Sequence, residues 1–71
     1  MKPFHPQQVQ AKQRKTLRRF AKADNYWGEA DTAAAMAMVE KVVEKISLDD
    51  LITLNEVLAK ENTKANVEKY L

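Results

Sequence analysis

Six side chains near the start of the chain can do ionic chemistry, Lys12, Arg14, Lys15, Arg18, Arg19 and Lys22, and Tyr26 stands beside them as an aromatic neighbour. The first 23 residues hold seven lysines and arginines and no acid, whereas the remaining 48 hold ten acids and five bases, so a formal net charge of +2 conceals a strongly cationic segment on an anionic body. Such asymmetry points to an anionic partner. Cations spaced along a phosphate backbone release condensed counterions, and arginine adds bidentate contact to phosphates or guanine edges. Arg14 and Arg18, four residues apart, share one side of a helix and are the best candidates for direct contact, with Arg19 beside them. Tyr26 offers a platform on which an unpaired base can stack. Trp27 is read first as a core residue, since a buried indole contributes large apolar area to a small domain.

The catalytic inventory is nearly empty. One histidine, His5, stands between Pro3 and Pro6, and there is no cysteine, so a thiolate or histidine-based metal site cannot be built and the sole imidazole is poorly placed to serve a nucleophile as base. Ser47 precedes Leu-Asp-Asp and reads as a helix cap rather than a nucleophile. Asp49 and Asp50 are adjacent and would point about 100° apart on a helix, which rules out a paired-carboxylate arrangement. A single glycine cannot build a phosphate loop. The expectation is a protein that is not an enzyme and uses no cofactor or metal.

Stepping along the basic segment at about 100° per residue places Val9, Gln13, Leu17 and Phe20 within an arc of roughly 80°, with Thr16 and Ala21 at its margins. The cations fall within roughly 160° on the other side. One face can dock on a core and the other points outward. Pro6 suits a first helical position and keeps His5 extended, so residues 1–6 read as a tail and residues 7–71 as one domain. Within it the pattern predicts a basic helix over 7–23, a hinge over 24–30 containing the only glycine, helices over 31–46 and 48–61, and a short last helix over 63–70. Asp31 or Thr32 caps the second helix, whose apolar stripe is Ala35, Met36, Val39, Val42, Val43 and Ile46. Leu48, Leu51, Ile52, Leu54 and Leu58 line the third, and Val57 falls off that stripe. Met36 and Met38 read as gap fillers, Met38 leaving room for contact with a second copy. The fold class is all-α, a small three-helix domain with a short fourth helix and a basic N-terminal one.

The string Ala11-Lys12-Gln13-Arg14-Lys15-Thr16-Leu17-Arg18-Arg19 resembles the arginine-rich RNA-binding helix of lambdoid phage antitermination proteins. The resemblance implies that Arg14, Arg18 and Arg19 contact a hairpin RNA and that Tyr26 corresponds to the aromatic stacked on its loop. Leu17 and Phe20 inside the segment imply a helix already packed on a core, and antitermination itself is not carried over.

Together these features predict a small non-catalytic DNA- or RNA-binding regulatory or accessory protein, transcription regulation included. The alternative is an adaptor or inhibitor that binds an acidic protein surface through its charged helical faces. A homodimer, pairing the basic arm with another copy's acidic body, and an anionic lipid surface are further partners that the charges allow. No run of about 18 apolar residues exists to span a membrane, and no secretory signal is readable, so cytoplasmic residence is the default expectation.

Overall fold

The computed structural model describes residues 6–71, so residues 1–5 of the expected tail, His5 included, lie outside the described part, and Pro6 belongs to the first helix. Four α-helices follow in order: α1 (Pro6–Ala23), α2 (Thr32–Lys45), α3 (Leu48–Lys60) and the short α4 (Lys64–Glu68). No strand occurs among the described residues, and the all-α class with three principal helices and a short fourth is the one observed.

Local chemistry sets the boundaries. Asp31 accepts hydrogen bonds from the Ala33 and Ala34 amides at 3.0 and 3.3 Å, satisfying two of the orphan donors at the start of α2. Ser47 does the same for the Asp50 amide at 3.2 Å, and Asp49 and Asp50 in that first turn meet the positive end of the α3 dipole. Thr63 at the start of α4 makes no such side-chain bond. Between α1 and α2 the chain reverses through Asn25–Gly28, where Asn25, Tyr26, Trp27 and Gly28 all take left-handed backbone, at φ 47, 55, 55 and 77. Only the last is a glycine, and its surroundings are open, so backbone conformation rather than space favours glycine there.

Packing follows the central positions of the expected stripes, while Met36, Leu48 and Ile52 are only half-buried. α1 lies against both α2 and α3, and α4 rests on α3. Leu17 and Ala21 of α1 are fully buried with Val39 and Val42 of α2, Leu51, Leu54 and Leu58 of α3, and Val67 of α4. Phe20, Trp27, Met38 and Tyr70 close over this cluster at its edges. Two asparagines join it, as apolar periodicity does not foretell. Asn55 donates to the Gln13 carbonyl and side-chain oxygens at 2.9 and 2.8 Å, tying α3 to α1. Asn66 donates to the Glu61 carbonyl at 2.9 Å, fastening α4 to the end of α3.

Candidate functional site

The cations of α1 divide into two groups. Arg14 is half-buried, and its Nη2 donates to the Val43 carbonyl at 3.3 Å, one of the last four carbonyls of α2 that have no partner within their own helix. A guanidinium there also meets the negative end of the α2 dipole. Its Nε is buried without a partner. Arg18 grips Glu40 of α2 with both arms, Nε to Oε2 at 2.8 Å and Nη2 to Oε1 at 2.9 Å. That hydrogen bonding, more than the Coulombic attraction of Arg18 and Arg14, holds the Glu40 carboxyl below its ordinary value against the opposing effect of burial. The same pair raises Arg18.

Arg14 and Arg18, expected to contact a partner, are therefore engaged by α2. The sequence reading placed all the cations on one outward arc, but that arc is wide enough for its near edge to face a neighbouring helix. Spacing of four puts Arg14 and Arg18 on that edge together, and Glu40 of α2 receives the second of them.

Lys12, Lys15, Arg19 and Lys22 remain exposed. Their spacings of three, four and three residues align them on one stripe of α1. None of the four is paired with a carboxylate among the described residues. Lys15, Arg18, Arg19 and Lys22 border an open cleft of about 350 Å³ whose other lining residues are Tyr26 and Met36. Of the seven candidate residues the cleft thus gathers five, leaving out Lys12 and Arg14.

Tyr26 reaches the cleft because the left-handed turn turns it away from Trp27. Trp27 is half-buried against the core, as read from its size, and its Nε1 donates to Asn62 Oδ1 at 2.8 Å. Asn62 in turn donates to the Phe20 carbonyl at 2.9 Å, so one asparagine clamps the turn to the end of α1. Nothing local in the chain marks Asn62 as a clamp. A smaller hollow of about 260 Å³ lies between Glu29, Ala34, Ala35, Met38 and Lys64, bridged by the Lys64–Glu29 ion pair. That bond raises the Lys64 ammonium above its usual value.

With this geometry in hand the comparisons with known proteins are decisive. The family described as the ribosome-associated complex head domain matches residues 6–71. The chain belongs to that family. A curated relative, DnaJ homolog subfamily C member 2 of Danio rerio, is 43% identical over 63 residues, an alignment that takes in 82% of this chain and 10% of the relative. The chain thus spans about a tenth of that relative's length. No solved structure matches.

Membership in the head-domain family overturns the resemblance to phage antitermination helices, which rested on nine residues, whereas the head-domain match runs through every described element. It also overturns the reading of the protein as a DNA- or RNA-binding transcription regulator. The physical reason lies in α1. The arginine spacing that resembles an RNA-binding peptide is here partly the spacing of an interhelical clasp, with Arg18 on Glu40 and Arg14 on the end of α2.

Proposed function

We propose that this head domain is a non-catalytic protein-interaction module of a ribosome-associated chaperone assembly in the cytosol, the adaptor role that was the alternative on sequence grounds. The observation that carries the reading is the family match over residues 6–71, joined to a relative named as a DnaJ homolog. The bundle supports it physically. Its core is closed by α4 and the two asparagine ties, so the domain can present charged helical faces from a fixed frame. Electrostatic complementarity of such faces steers association and selects partners more than it adds raw affinity. No helix among the described residues is long and apolar enough to cross a membrane.

The test places a photo-cross-linking residue at position 15 on α1 or at position 53 on α3 of this chain, expressed in cells. The ribosome-bound fraction is then irradiated and digested with nuclease. Protein adducts that survive digestion at either position support the reading. Absence of protein adducts at both positions overturns it.

A further inference from the structure

Three observations meet at the cleft beside α1. The first is charge. At about 1.5 Å of rise per residue the stripe from Lys12 to Lys22 is about 15 Å long. All four of its cations are exposed and lack a carboxylate partner among the described residues, while the neighbouring Arg18 is already engaged by Glu40. The second is the lining. Met36 and Tyr26 give the cleft an apolar surface beneath those cations, and an unbranched thioether adapts readily to an incoming side chain.

The third is strain. Left-handed backbone costs an ordinary residue roughly 1–2 kcal/mol, and Tyr26 and Trp27 both adopt it in succession. The conformation is held because Trp27 packs on the core and is bonded to Asn62, which is itself bonded to α1. Strain of this kind tends to persist where a side chain must be aimed, and the one aimed here is Tyr26, into the cleft.

We propose that this cleft docks an acidic peptide segment of a partner protein, its carboxylates on Lys15, Arg19 and Lys22 and one aliphatic or aromatic side chain against Met36 and Tyr26. The inference rests on the protein-interaction reading and specifies its partner. Charge complementarity selects an acidic occupant. Lys15 and Lys22 are separated by about 10 Å along α1, which three residues of extended chain span. A peptide with carboxylates three apart and an apolar residue between them therefore satisfies both the rim and the floor. A polynucleotide would also satisfy the rim and stack on Tyr26, and the aliphatic contact with Met36 is what it would lack.

Fluorescence anisotropy with the 71-residue chain in about 50 mM salt tests this, where exposed charges are weakly screened. The probes are a labelled ten-residue peptide of glutamates and aspartates with one central leucine, and its counterpart with alanine in place of leucine. Lys15→Glu with Arg19→Glu should lower affinity for both at least about tenfold, and Thr53→Glu on α3 should leave it unchanged. Met36→Ala should weaken the leucine peptide about threefold and the alanine peptide not at all, which isolates the cleft from general charge attraction. Circular dichroism establishes that each variant keeps its helices.

Equal effects of Met36→Ala on both peptides would overturn the proposal. So would displacement of the peptide by a hairpin RNA at lower concentration than by unlabelled peptide, or sedimentation showing that the stripe pairs two copies of this chain. Failure here is separable from failure of the broader reading. Nuclease-resistant adducts at position 53 alone would sink the cleft and spare the protein-interaction role; adducts at neither position would sink both.

Discussion

At Arg18 a bidentate clasp on Glu40 joins α1 to α2, yet both side chains keep substantial exposure, 41% and 47%, so solvent screens much of the attraction. An exposed pair of this kind contributes at most about 1 kcal/mol. Because the folded-state pKa of Glu40 is lowered, the contribution is present above the ordinary glutamate value and disappears as pH falls through the folded one. Urea denaturation should therefore show Glu40→Gln less stable than the parent near pH 7, with the difference vanishing well below about pH 4.3. Asn55 is a different case, since it is 6% exposed and its amide supplies both bonds to Gln13. Asn55→Ala leaves the Gln13 side-chain oxygen without its donor and should cost about 1–3 kcal/mol in the same measurement, independent of pH across this range.

Among the elements, the starts of α2 and α4 differ in a way that can be measured. Asp31 caps α2 with two hydrogen bonds, whereas Thr63 leads into α4 without one. Asp31→Ala should lower stability by about 1 kcal/mol. Thr63→Ala should stay within about 0.5 kcal/mol. Thermal unfolding of the two variants side by side tests the contrast. α4 is instead fastened by Asn66 and by Val67, which is wholly buried, so its retention depends on tertiary contact more than on capping. The turn at Asn25–Gly28 depends on tertiary contact as well, being held in left-handed backbone by a tryptophan and an asparagine 35 residues apart.

For the whole molecule, a chain of 71 residues without a disulfide rests on one core. Typical stabilities of about 0.05–0.15 kcal/mol per residue put the total at roughly 4–11 kcal/mol. Leu17 is fully buried where α1 meets the other helices, and truncating such a leucine to alanine costs about 2–5 kcal/mol. Leu17→Ala should therefore lower the melting temperature by about 10 °C or more while leaving the exposed stripe of α1 chemically intact.

The four helices, a cap at Ser47 and one at Asp31 or Thr32, and the buried faces carrying Leu17, Val39, Leu51 and Leu58 were legible in the chain, because capping and amphipathic periodicity are local energies that neighbouring residues decide. Charge segregation was legible too, and it located the basic face of α1. Which of its arginines faced solvent was not. That depends on where Glu40 and the end of α2 come to lie, and spacing along one helix carries no information about the position of another. For the same reason no neighbour along the chain marks Asn55 or Asn62 for the carbonyl and the indole that packing places within reach. The resemblance to a phage RNA-binding helix failed on this point, since nine residues of arginine spacing are compatible with gripping RNA and with gripping an adjacent helix. Sequence alone determined that α1 would be two-faced and cationic; only the tertiary structure, by setting α2 against one edge of that cationic arc, decided which charges bind within the molecule and which stay exposed.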